Sequence, residues 1–364
     1  MVHPFVSSMT CIHLPFPPNL LALAVTLGAL GLGCGGADSE ASGAGGGAAA
    51  SSGTGGDSAS SSTATSGSTT GGSGGAGGGS DPSCLESDEL LATLEIGAAP
   101  YGIAVNDSHV FWATSGNGEI WRALKDGSDA VLLAAGQGAP WGIRLQGDSV
   151  YWVSHAIDGV LSKVPVTGGP VVPIAVAPAA RDLVVSDAFI FWTREPDDVE
   201  RVGLDGSDPK LLISANMLSN TMALDESAIY WVNIGDGQVN RALPDGTEEI
   251  HIAEGQAQPW GIEVDATHAY WTNSADGSVR RVLKLGGEVE TLASGQTTPM
   301  GIAVDDTHVY WADNETGIVA KAPKAGGATT VLANCQHRPL KLAVDATHLY
   351  WTNATDDTVR RVPK

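Results

Sequence analysis

An aromatic–tryptophan pair returns seven times at nearly fixed spacing: Phe111-Trp112, Tyr151-Trp152, Phe191-Trp192, Tyr230-Trp231, Tyr270-Trp271, Tyr310-Trp311 and Tyr350-Trp351. Successive tryptophans lie 40, 40, 39, 40, 40 and 40 residues apart. Such a period marks a chain of stacked units, each too small to bury its apolar surface alone. Within a unit, four short strand-like runs are separated by Asp, Gly and Asn turns. In the fifth unit they fall at about 261–265, 269–273, 278–283 and 289–293. No run has helical period or length.

Four antiparallel strands at this period make a blade, and radial blades make an all-β propeller. Blades converge at the axis, so the innermost strand must be thin. Gly102, Gly142, Gly261 and Gly301, with Ala104, Ala223, Ala303 and Ala343, meet that demand. Further out the wedge widens, and the aromatic pairs fill it. The seventh unit ends after its third strand, whereas residues 90–95 (LLATLE) precede the first inner strand and match the fourth-strand sequences VETLAS and TTVLAN. The expectation is a seven-bladed propeller whose N-terminal strand completes the last blade.

Around the pairs the sequence reads Tyr270-Trp271-Thr272-Asn273, Tyr350-Trp351-Thr352-Asn353 and Tyr310-Trp311-Ala312-Asp313. These tetrapeptides resemble the YWTD repeats of the low-density-lipoprotein-receptor class. The resemblance covers residues 90–364 and implies a propeller fold, although propellers of that class have six blades. It does not carry over the partners of those receptors.

Composition divides the chain. Residues 35–80 are Gly, Ala, Ser or Thr apart from Asp38, Glu40 and Asp57. They hold almost no apolar side chain that could offset the entropy of ordering. We read 1–33 as a signal peptide, 34–83 as a disordered tether reaching about 35–40 Å, and 84–364 as the propeller. Four of the 41 acids precede Cys84, leaving 37 against 19 bases, a net of −18. That excludes nucleic acid as a partner, because phosphate contact needs a basic surface, and disfavours direct contact with an anionic membrane.

Residues 20–32 are a 13-residue apolar run, short for a bilayer span and suited to a secretory signal. It leads into Gly33-Cys34-Gly35-Gly36, which resembles the lipobox of bacterial lipoproteins. The resemblance implies lipidation of Cys34 and an exported protein anchored to an envelope membrane, the outer one by preference. The membrane would then be touched only through the lipid. A simple cleaved signal and secretion form the alternative. A monomer is expected.

Candidate site residues are those where one blade breaks the repeat. Along the inner strands, Arg144 and Glu263 replace Ala, and Asp182 and Lys341 replace Gly. They point toward the axis, where desolvation demands pairing, and Arg144 and Glu263 are placed to meet across the channel. A self-neutralising plug and a ligand site are both consistent with them. One step earlier lies a ring at the channel mouth: Tyr101, Trp141, Arg181, Asn220, Trp260, Met300 and Leu340. It suits stacking on sugars or gripping a peptide, or simply capping the blades. Gln137, Gln256, Gln296 and Gln336 recur on the connections and are expected to hold the loops. His109, His268, His308 and His348 share one repeat position, so rotation spreads them around the ring and they read as turn residues. His251 falls on an outer strand. No catalytic residue, metal or cofactor is assigned.

Cys11 leaves with the signal, so Cys84 and Cys335 remain as a pair in an oxidising compartment. The expected topology puts them at opposite ends of the closing strand, which leaves their bridging open. The leading functional expectation is a non-catalytic propeller that binds a protein, peptide or glycan at its mouth. Alternatives are a metal-dependent lyase or lactone hydrolase with its site in the axial funnel, and a structural envelope protein.

Overall fold

The computed structural model describes residues 84–364 except Glu86, 196–197 and 215–218. The apolar run, Cys34 and the tract to residue 83 lie outside the described residues. The rest forms seven four-stranded antiparallel sheets. The fifth blade is Pro259–Val264, His268–Asn273, Ser278–Leu283 and Glu290–Ala293, close to the expected runs. Blade seven takes Pro339–Val344, His348–Asn353 and Thr358–Pro363 from the C-terminus and Glu89–Thr93 from the N-terminus. The ring therefore closes as the strand arithmetic required, by pairing across almost the whole domain.

The aromatic pair explains itself once strand geometry is applied. Neighbouring residues of a strand point to opposite sheet faces. The first aromatic of each blade therefore packs on one side and the tryptophan on the other. Tyr230 shares a buried cluster with Trp271 of the next blade, Tyr270 with Trp311, Tyr310 with Trp351, and Tyr350 with Trp112. Phe111–Trp152, Tyr151–Trp192 and Phe191–Trp231 complete the circle. Thinness at the axis is equally literal: a Cβ at Gly261 would run into the carbonyl oxygen of Met300 in blade six.

The Asp-x-Thr-His turns do more than turn. Asp265 Oδ1 accepts from the amides of Thr267 (2.8 Å) and His268 (2.9 Å), the expected turn. Its Oδ2 accepts from the Tyr270 hydroxyl at 2.7 Å and pairs with Lys324 of the next blade at 2.7 Å. The same clasp joins Asp225 to Lys284, Asp305 to Lys364, and Asp345 to Lys125 across the closure. The repeated histidines stay local: His268 Nδ1 meets Thr267 Oγ1 at 2.7 Å. Burial opposes ionisation of Asp225, but Lys284 and the turn donors outweigh it and bring the carboxyl down to about 2.

A second set of ties runs through third-strand cations that donate to carbonyls of the following blade. They are Arg122 to Val166, Lys163 to Leu204, Arg201 to Pro244, Arg281 to Lys324 and Arg361 to Lys125. With 19 bases in the chain, these five and the four clasp lysines put nine of them between blades.

Cys84 and Cys335 form a disulfide with Cα atoms 5.7 Å apart. The segment before the closing strand is held against the end of blade six. The Leu85 amide donates to Asn334 Oδ1 at 2.6 Å, and Ser87 Oγ donates to the Leu332 carbonyl at 2.7 Å. That course brings Cys84 to Cys335 and resolves the question the topology had left open.

Candidate functional site

Inner strands all begin on one face of the ring, so the residues after the recurring proline surround the channel there. Their backbones are fixed by the neighbouring blade. Thr272 Oγ1 donates to the Met300 carbonyl (2.7 Å), Thr352 Oγ1 to that of Tyr101 (2.8 Å) and Thr193 Oγ1 to that of Asn220 (3.0 Å). This gives the third letter of the tetrapeptide its physical reason. The connection glutamines are also structural: Gln256, Gln296 and Gln336 accept the indole N–H of Trp271, Trp311 and Trp351 at 3.1–3.2 Å. All four donate to the carbonyl two residues back, Gln137 to that of Ala135, but among the described residues the Trp152 indole does not reach Gln137.

The mouth is lopsided. Over blades one to three, Tyr101 stacks on Trp141 (4.9 Å between centroids, 13° between planes) and Trp141 on His155 (3.8 Å, 20°). His155 Nδ1 meets the Ala180 carbonyl at 3.2 Å, and its Nε2 lies 3.8 Å from Glu195. Glu195 in turn accepts from Arg181 at 2.5 Å. Burial holds the imidazole below its ordinary value, although the Ala180 carbonyl and Glu195 pull the other way. Burial first, and then the charge of Asp182, push the Tyr101 phenol up. Across the mouth, Trp260, Met300 and Leu340 are half-buried. Among the described residues Trp260 stacks on no ring. Asn220 corrects the expectation of an outward mouth residue: it is 2% exposed and donates to the Trp260 carbonyl at 3.1 Å. It supports the rim and is not displayed on it.

The four axial charges do line one small cavity, of about 30 Å³. Their pairing differs from the expected one. Arg144 does not meet Glu263 across the channel. It turns to Asp182 of the adjacent blade, with Nη2 3.4 Å from Oδ2, while Lys341 reaches the same oxygen at 3.3 Å. Adjacent inner strands lie closer than opposed ones, and Arg144 also finds the carbonyls of Ile143 and Met222. Asp182, 1% exposed, is held by the Leu183 and Met222 amides as well. Burial opposes its charge, but Arg144, Lys341 and these amides hold its carboxyl low. Glu263 has no hydrogen-bond partner among the described residues. Burial pushes it up to about 7, against the pull of Arg144 and Lys341.

Asp182, Asn220 and Glu263 do not suit a divalent cation, because Arg144 and Lys341 occupy the same space. Among the described residues no three His, Cys, Asp or Glu side chains converge as metal ligands. His155 and Glu195 escaped the sequence reading. They occupy one repeat position in neighbouring blades, filled elsewhere by Ser115, Ile234, Ser274, Asn314 and Ala354. Departure from the repeat was the signal, and it was applied only to the inner strands.

No family model matches the chain. The vitellogenin receptor Yl of Drosophila melanogaster is 29% identical over 182 residues, 45% of this chain and 9% of that protein. The chain thus spans less than a tenth of that relative's length. Among solved structures, a catalytically inactive virginiamycin B lyase from Staphylococcus aureus with quinupristin superposes with TM-score 0.66 at 14% identity, covering 76% of this chain and 99% of that one. A nidogen/laminin complex gives TM-score 0.51 at 18% identity, covering 60% and 90%. At these identities the structural likeness shows the fold alone. Together with the receptor match, it defines a YWTD-like β-propeller, here with seven blades.

Proposed function

We propose that this propeller is a binding module that grips a peptide segment of a protein partner at its channel mouth, carried on an exported lipoprotein anchored at Cys34. The observation that carries the reading is the ordered cluster Tyr101–Trp141–His155 beside Arg181–Glu195. Aromatic and Arg side chains fixed before binding lose little entropy on contact and are the usual anchors of an interface. Trp141 is already stacked by two rings, which leaves less free aromatic face for a sugar. Ile157, 93% exposed beside His155, adds an apolar rim. In a peptide-display selection on the full chain, enriched peptides are expected to lose binding in Trp141→Ala and Arg181→Ala. Enrichment indifferent to both changes, or enrichment only on a glycan array, contradicts the peptide reading. Palmitate labelling lost in Cys34→Ser tests the anchor; an unlabelled, released wild-type product contradicts it.

A second reading, catalysis at the same mouth, is favoured by the His155–Glu195 pair beside Arg181. An imidazole held at Nδ1 by the Ala180 carbonyl and placed beside a cation fits proton abstraction with stabilisation of developing negative charge. Quinupristin consumption by the full chain, abolished in His155→Ala, would support it.

A further inference from the structure

The axial cavity is short of acceptors. An ammonium carries three donors and a guanidinium five. Among the described residues Lys341 spends one, on Asp182, and Arg144 spends three, on Ile143, Asp182 and Met222. Among the described residues Asp182 is the only acidic acceptor within hydrogen-bond reach of these cations. Its Oδ2 is already shared by both of them and the Met222 amide, while Oδ1 takes the Leu183 amide. The cation contacts are long, 3.3 and 3.4 Å, as expected of one oxygen divided between two cations. Glu263 also lines the space without a hydrogen-bond partner.

We infer that the axial cavity is a site for a small carboxylate anion, taken up together with a proton on Glu263. The anion would accept from the free donors of Arg144 and Lys341 and from the protonated Glu263 O–H. With Arg144 and Lys341 both charged, charge balances this way, although burial pulls the Lys341 ammonium down against the hold of Asp182. With Glu263 ionised, two cations face two anions and the cavity is a neutral plug. With Glu263 protonated, one positive charge is left over, and a monovalent anion cancels it. The charged groups facing Glu263 are Arg144, Lys341 and Asp182, and burial places its titration near neutrality. Plug and ligand site are thus two protonation states of one cavity. This inference does not depend on the mouth reading.

Acetate is the probe, added to the full chain against chloride at equal ionic strength, with affinity read from the melting midpoint. Affinity is expected to fall about tenfold between about pH 6 and about pH 8, as Glu263 loses its proton. Lys341→Met should weaken acetate at least tenfold, with tryptophan emission reporting that the fold is intact. Glu263→Gln keeps a donor and should bind acetate with no pH dependence between those values. Wild type indifferent to acetate at both pH values, or a pH dependence that survives in Glu263→Gln, overturns the inference. The source of the carboxylate is read from a short peptide with a free C-terminus against its amide. Equal binding of the two, weaker than acetate, assigns the site to free small acids; selective binding of the free-acid peptide assigns it to a C-terminus entering from the mouth. Rejection of acetate and both peptides also overturns it.

Discussion

Four blade interfaces and the other three are built differently. Between blades four and five, five and six, six and seven, and seven and one, an Asp–Tyr–Lys clasp spans the junction. Between one and two, two and three, and three and four, both charged partners are missing together. Asn106, Gln146 and Ser186 replace the Asp, and Val166, Leu204 and Pro244 replace the Lys. The aromatic follows the same division: two of the three unclasped positions, Phe111 and Phe191, lack the hydroxyl the Asp would bind. At those corners the remaining ties are apolar packing, the cation-to-carbonyl bonds and a Gln146–Asp187 hydrogen bond at 2.5 Å, while nearer the axis Arg144–Asp182, His155–Ala180 and Thr193–Asn220 still cross these interfaces. The unclasped interfaces also carry Tyr101, Trp141, His155, Arg181 and Glu195. One part of the ring is repeat scaffold, closed by clasps and a disulfide. The other gives up regularity where the candidate site lies.

The largest effect separating the parts should come from the disulfide. Cys335→Ser releases a loop spanning a sequence separation of 251 and should cost about 5–6 kcal/mol on the chain-entropy model, read by denaturant unfolding. An unchanged midpoint would mean the closure is held by strand pairing alone. Next in size is the clasp. Lys125→Met strands a largely buried Asp345 and should cost about 1–3 kcal/mol. Asn106→Ala, at the corresponding unclasped corner, removes only local turn bonds from Ser108 and His109 and should cost about 1 kcal/mol or less. Equal losses would erase the distinction.

Smaller effects appear with pH, and their signs differ. The clasp carboxyls are held below their unfolded values. Their contribution is complete above about pH 4 and is lost as pH falls toward about 2, the value for Asp225. Glu263 is raised instead, to about 7. Its contribution is complete below about pH 4.3 and is lost as pH rises through neutrality. Wild type should lose about 1 kcal/mol between about pH 6 and pH 7 that Glu263→Gln does not lose. Parallel profiles for the two would contradict the assignment.

The repeat made the fold legible. The Trp period set the blades, the inner glycines set the axis, and the spare strand at residues 90–95 set the closure. The clasp was written just as plainly, since Lys284, Lys324 and Lys364 recur at 40 residues and Tyr alternates with Phe in the pair. It was hidden because its partners sit in different blades, where only the three-dimensional stagger joins them. The axial charges were legible as residues but not as pairs. Sequence places Arg144 opposite Glu263, and the shorter path to Asp182 depends on side-chain reach. His155 stands alone in its repeat position and acquires meaning only through its stack on Trp141.

The division of the ring is tested most directly by native-state hydrogen exchange, resolved by blade. Opening free energy tracks local packing and ties. Amides in the inner and second strands of blades five, six and seven should exchange slowest, and those of blades two and three should open first. Uniform protection around the ring, or slower exchange in blades two and three, would contradict a clasped scaffold joined to a looser, site-bearing part.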